Sequence, residues 1–338
     1  MPGTTLTDYG SPTRDEAREM VEKASFFRSE PGGRLSMESD ALKVVIDPAG
    51  GGKIGSFVSR QTQRDFFYQD PRQTFPGDGY SDHDISGFDE CFPTVWPCKY
   101  PDGQRRGMSL ADHGYLWQGP WEVQAADDRL VMRKDVPELQ CRFERTCFLD
   151  TTRSLKLDYL IENNGEESLK YVYSAHPMLA ADEHTQLILP EEINRMFVSV
   201  ALNVPGLVDK TWIDWPLDGK AGLDEPFSSQ KCSVVKLCSD RLKEGRAVIY
   251  HRDLREGLQF EFDTENLPHL GVLIQQGYSP DETTASNRQL FLGLEPTTGM
   301  GDDLPSCEST GTVREIQPGQ EVRFGIRLKL LSRMPGDR

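Results

Sequence analysis

"PGQEVRFGIRLKL", residues 318–330, leaves a Pro-Gly turn and then alternates. Val322, Phe324, Ile326, Leu328 and Leu330 fall on one side, and Arg323, Arg327 and Lys329 fall on the other. A period of two belongs to a β-strand with one apolar and one wet face. Strands buried on both faces, as in parallel sheets, read instead as continuous apolar runs. The charged face of this stretch therefore selects an antiparallel sheet.

Working outward, Leu155, Leu157, Tyr159 and Ile161 alternate in the same way. Further strand-like runs are LKVVI (42–46), RLVMR (129–133), LKYVYSAH (169–176), AVIYH (247–251), LQFEF (258–262) and LGVLIQQ (270–276). Turn chemistry separates them, as at Asn163-Asn164-Gly165. "QLFLGLEPTTGM", 289–300, reads as a strand that Pro296, two threonines and Gly299 stop, with Glu295 at its mouth. Near the start, Thr13–Glu16 fits a capping box, followed by Ala17, Met20, Val21 and Ala24 at helical spacing. The expectation is an all-β protein, a large antiparallel β-sandwich with a short N-terminal helix at about 14–25. Residues 1–33 read as an extension and 34–338 as one β-sandwich domain, with long loops at about 70–120 and 190–230.

Among 338 residues, Lys+Arg 38 against Asp+Glu 54 gives a net charge of −16, which argues against nucleic acid and anionic membrane as partners. No apolar run reaches the roughly 18 residues of a membrane span. The N-terminal segment has neither a basic region nor an apolar core of a secretory signal, and the seven cysteines contain no zinc-type CxxC pair. Reduced cysteines in a cytoplasmic protein are expected.

Chemistry concentrates in three segments: SGFDECFPTVWP (86–97) with DHGYLWQGPWEV (112–123), YSAHPMLA (173–180), and GLEPTTGM (293–300). They hold His113, His176 and Glu295 in strand-end contexts. A Glu can take a proton near neutral pH and a His, with reference pKa about 6.5, can give one. That pair suits a reaction that removes a proton at one atom and adds one a few ångströms away, without metal or nucleotide. Taken singly, each residue reads as well as a satisfied structural group.

Together the segments resemble the aldose 1-epimerase (galactose mutarotase-like) superfamily, and within it the branch related to glucose-6-phosphate 1-epimerases. GFDECFPTVWP looks like that branch's GG-x-P-x-x-FP. HGYLWQGPWEV (113–123) looks like its HGF-x-R followed by W-E-V. AHP at 175–177 and LEP at 294–296 match a mid-chain His and a Glu in an EP motif, and GGGKIGSFVSRQTQRDFFY (50–68) is similar to its early strand pair. The resemblance implies a galactose mutarotase-like supersandwich and a cofactor-free enzyme interconverting the anomers of a free aldose. It makes Glu295 the base at the C1 hydroxyl and His176 the acid at the ring oxygen. His113, Arg64, Asp89 and Trp117 become sugar-binding residues, with Arg60 and Arg72 as rivals to Arg64.

The family's HGF-x-R arginine is absent, since 115–118 reads Tyr-Leu-Trp-Gln, and Asp89 and Glu90 replace neutral residues. The missing arginine, with the negative charge, favours a neutral sugar; the extra acids either bind sugar hydroxyls in the pocket or make the site unlike any epimerase. Trp96, Trp117, Trp121 and Tyr115 offer ring faces for a sugar or plug the end of the sandwich. Asp82-His83-Asp84 with Asp89 and Glu90 is a weaker candidate for a hard cation, and the expectation is no metal. The alternative to an enzyme is a non-catalytic carbohydrate-binding or regulatory protein on the same fold. A lyase or hydrolase subdomain is a further rival, but the chain lacks room for the extra helical domain such proteins carry.

Overall fold

The computed structural model describes residues 27–72, 78–216, 227–278 and 288–335; the helix expected at about 14–25 lies outside them. Among the described residues the chain forms an eleven-stranded and an eight-stranded sheet, with two small two-stranded ribbons. The expected antiparallel sandwich is what these residues build. Neighbours in both large sheets pair antiparallel.

The opening stretch lies in the eight-stranded sheet as the strand Glu321–Leu331, between Glu256–Phe262 and Ser154–Asn163. Phe324, Ile326, Leu328 and Leu330 are buried, while their charged neighbours stay wetter. Each buried side chain of this size contributes about 1.5–3 kcal/mol of transfer free energy. Repeated along both sheets, that term holds one sheet against the other.

The eleven-stranded sheet positions the site. Its central order is Lys53–Ser59, Phe88–Cys91, Ser174–Ala180, Leu290–Thr297, His269–Gln276, Ser233–Ser239 and Arg195–Leu202. Ser174–Ala180 and Leu290–Thr297 are buried almost throughout, so they are covered on both faces. At the sheet's edge Phe27–Ser29 already pairs with Leu35–Met37.

The strand that runs into Pro296–Gly299 ends at Thr297, opposite Ser174 and His269, as expected. Two expectations need correction. The segment 70–120 is interrupted by Phe88–Cys91, a central strand of the large sheet. The segment 190–230 is not one long loop: Arg195–Leu202 and Trp212–Asp214 are strands of the large sheet. A register shift between Val198 and Val200 interrupts the period of two there, which hides the strand in the sequence. A short helix, Leu304–Ser309, also appears, capped by Asp303, whose side chain accepts from the Ser306 N–H.

Candidate active site

Three neighbouring strands set the site's geometry. Asp89 pairs directly with His176. The register that joins Ser174 to Thr297 and Met178 to Gly293 sets His176 across from Glu295. Residues directly opposite share a face, with Cβ atoms about 4.5–5.5 Å apart. Asp89, His176 and Glu295 therefore form one row across one face of the sheet. Between the two named pairs no other ladder pair of these strands forms, and that gap holds Pro177 and Pro296, which have no N–H to donate.

Glu295 is almost completely buried. Its Oε2 lies 2.9 Å from Lys236 Nζ and 3.5 Å from Ser174 Oγ. Lys236 Nζ also reaches Asp302 Oδ1 at 2.8 Å, so one ammonium bridges two carboxylates. Burial alone would push the Lys236 ammonium toward neutrality, but Asp302 and Glu295 hold its pKa above the ordinary lysine range. Glycine makes room for the carboxylate. A Cβ at Gly293 would sit 2.9 Å from Glu295 Oε1, and one at Gly271 would sit 3.2 Å from Oε2. Among the described residues, Glu295 Oε1, Asp89 Oδ1 and Asp302 Oδ2 are buried without a hydrogen-bond partner. Such oxygens require donors from outside the fold.

His176 is held by its Nδ1, 3.0 Å from the Tyr80 hydroxyl, which in turn donates to Asp89 Oδ2 at 3.0 Å. Lys53 Nζ stands 3.5 Å from the same Asp89 oxygen. With the Tyr80 proton directed at Asp89, the hydroxyl oxygen accepts from Nδ1–H and leaves Nε2 as the open nitrogen. Burial, reinforced by His113, Lys236 and Lys53, holds the His176 pKa well below the usual imidazole range. Burial and the Asp89 charge keep the Tyr80 phenol protonated.

His113 enters from the 111–120 loop with a left-handed backbone, φ 57°. Its ring stacks on Tyr80 at 3.6 Å and meets the His176 ring edge-on at 4.8 Å. Trp117 lies edge-on to Tyr80 at 5.4 Å, and its Nε1 donates to the Asp112 carbonyl. Thus His176, Glu295, His113, Asp89 and Trp117 gather around one patch. Arg64 does not join them. Its guanidinium pairs with Asp182 at 3.0 Å and donates to the Ala180 carbonyl, four residues along the strand from His176. Glu90 faces the other side of the sheet, against Arg145. Trp121 is buried, with its Nε1 donating to the Leu116 carbonyl, so it packs the sandwich end.

The Asp82-His83-Asp84 candidate disperses into turn capping: Asp84 accepts from the Ser86 N–H, and His83 Nδ1 lies 2.9 Å from the Gly79 carbonyl. A different set could hold a metal, since Cys91, His113 and His176 each offer a ligand atom within 4.8 Å of the others. Sequence reasoning missed Tyr80, Lys236 and Asp302. A lone Lys inside the apolar run SVVKLCS was the available signal, because a strand-centre lysine must find buried acids.

Comparison with known proteins adds to this geometry. No family model matches the chain, and no curated protein matches it. Solved structures do. The Slr1438 protein from Synechocystis sp. PCC 6803 superposes with a TM-score of 0.68 at 17% identity, over 88% of this chain and 96% of its own. The chain has the galactose mutarotase-like fold. A galactose mutarotase-like protein from Lactobacillus casei ATCC 334 gives 0.63 at 14% identity, over 88% of this chain and 100% of its own. A galactose mutarotase related enzyme from Lactobacillus acidophilus gives 0.63 at 15%, over 90% and 99%. At these identities the likeness establishes the fold alone, and function has to be argued from the site.

Proposed function

We propose that the chain is an isomerase of the aldose 1-epimerase type, acting on a free, uncharged aldose. The observation that carries this reading is the register setting His176 across from Glu295, each with an uncommitted atom, Nε2 and Oε1. Lys236 pins Oε2 and leaves Oε1 to take the proton from the C1 hydroxyl. As that O–H bond breaks, the C1–O carbonyl forms and the bond from C1 to the ring oxygen opens. The ring oxygen takes a proton from Nε2 of the His176 imidazolium, the minority form that the lowered pKa leaves at neutral pH. Rotation about C1–C2 and reversal of both transfers closes the other anomer, and the proton count balances without a cofactor.

Charge supports a neutral substrate. Lys53 and Lys236, the two lysines that meet this row of acids, are already paired with Asp89, and with Glu295 and Asp302. A phosphate would find unpartnered carboxylate oxygens there, whereas sugar hydroxyls supply the donors those oxygens need. His113 and Trp117 supply ring surface for the sugar's C–H face. A reducing, cytoplasmic setting suits seven free thiols. Residues 34–338 act in this reading as one catalytic unit behind an N-terminal extension at 1–33.

A second reading is favoured by the depressed basicity of His176, because a neutral imidazole is a weaker proton donor. It is a sugar-binding protein without turnover. Polarimetry on freshly dissolved α-glucose and α-galactose separates the two: the isomerase speeds the drift of optical rotation, and the binder leaves it at the spontaneous rate.

A further inference from the structure

We propose that Cys91, His113 and His176 form a binding site for one soft divalent metal ion of the zinc class, and that the bound ion withdraws both histidines from sugar chemistry. The first half stands on the side chains alone; the second rests on the isomerase reading above.

The three residues are distant in sequence, and the fold brings one ligand atom from each within 4.8 Å of the others. Cys91 pairs across from Ser174 and Asp89 pairs across from His176, so Cys91 and His176 are diagonal neighbours on one face. The His113 backbone is fixed by its N–H, which donates to the Val95 carbonyl at 2.6 Å. In a tetrahedral zinc site, bonds of about 2.0–2.3 Å place ligand atoms roughly 3.3–3.6 Å apart. Closing from 4.8 Å is within reach of side-chain torsions, above all for His113 on its loop.

A second observation is independent of those distances. Metal-ligating histidines usually have the other ring nitrogen tied to a carboxylate, carbonyl or water, which sets the tautomer. His113 is held that way, and His176 through a phenol hydroxyl that relays to a carboxylate. His113 Nδ1 lies 3.0 Å from Asp112 Oδ1, and His176 Nδ1 lies 3.0 Å from Tyr80, itself bonded to Asp89. Each ring is thereby left to offer Nε2. Two imidazoles and a thiolate are a soft donor set that selects zinc or copper over calcium or magnesium. Three protein ligands leave the fourth corner of a tetrahedral ion to a small molecule. On binding, the Cys91 thiol loses its proton to solvent, so affinity rises with pH. Asp89 and Glu295 offset the repulsion of the ion by Lys53 and Lys236.

The test uses the full chain, stripped by a chelator that is then removed, and titrated with Co²⁺ as a spectroscopic substitute for zinc. The expected result is saturation at one ion per chain, with tetrahedral ligand-field bands and a near-ultraviolet thiolate-to-cobalt transition that Zn²⁺ abolishes. Cys91→Ser should lose that transition while Cys98→Ser keeps it. Asp112→Asn, which perturbs only an outer partner on the surface, should weaken binding by about 10–100-fold. No saturable binding, or an undiminished transition in folded Cys91→Ser, overturns the site. Mutarotation that persists in the zinc-saturated protein overturns the silencing. A stripped protein inactive on every sugar, yet binding one Co²⁺ through Cys91, counts against the isomerase and leaves the metal site standing.

Discussion

Asp89 and Glu90 are chain neighbours on one strand, and they have opposite surroundings. Glu90 points between the sheets. Its Oε1 accepts from Arg145 Nη1 and Tyr159 at 2.9 Å each, and its Oε2 accepts from Tyr173 at 2.5 Å. Arg145 donates further to the Gly52 carbonyl and lies over the Trp121 ring. Both oxygens of Glu90 are satisfied by the fold. Asp89 points to the other face, where one oxygen of each of three acids, Asp89, Glu295 and Asp302, has no partner among the described residues. Around Glu90 the carboxylate is satisfied, although Arg145 Nε has no partner among the described residues; around Asp89 the carboxylates themselves are open and can accept hydrogen bonds from something else. The difference separates satisfied from unsatisfied carboxylates within a two-residue span.

Breaking the closed network should cost most in stability. Arg145→Met leaves Glu90 buried and uncompensated, and an expected loss of about 3–5 kcal/mol would be read by urea denaturation. Breaking the open network should cost activity instead. Glu295→Gln should lower mutarotation by roughly 10²-fold or more at a smaller stability cost than Arg145→Met, because Lys236 keeps its pair with Asp302, measured by polarimetry beside the same denaturation. If the two variants exchanged these effects, the contrast between the faces would be wrong.

A pH dependence sharpens the contrast from a third place. His251 is buried against Phe66, with Thr185 Oγ1 3.2 Å from its Nδ1, and burial, aided by Arg64, lowers its pKa to about 4 despite nearby Asp182. Between that value and the unfolded value of about 6.5, the unfolded chain binds the extra proton. Stability therefore falls as pH drops through this window, by at most about 3 kcal/mol from this group. His251→Gln should flatten that part of the dependence in denaturation curves at pH 4.5 and 7. The smallest effect belongs to Arg64. Its half-buried pair with Asp182 should contribute under about 1 kcal/mol, and Arg64→Ala should leave the KM for sugar unchanged. A large rise in KM would restore the sugar-binding role that the resemblance gave it.

The sequence disclosed the sheets because one face of most strands is wet, so alternation survives, as in 321–331. It singled out His176 and Glu295, which the register sets across from each other, because each sits in a short recognisable phrase. It concealed what depends on register. Tyr80 reaches His176 across 96 positions, and Lys236 meets Glu295 from two strands away and Asp302 in the turn that follows the Glu295 strand. Asp89 and Glu90 looked like a pair of pocket acids, although alternation within Phe88–Cys91 sends them to opposite faces.

The central claim is that His176 and Glu295 move protons on one sugar ring. The most direct measurement is the optical rotation of fresh α-galactose and α-glucose followed with the wild-type chain and with folded Glu295→Gln. The account predicts a wild-type drift well above the spontaneous rate that the variant largely loses. A wild-type drift at the spontaneous rate for every aldose tried, or a fully active Glu295→Gln, would contradict it.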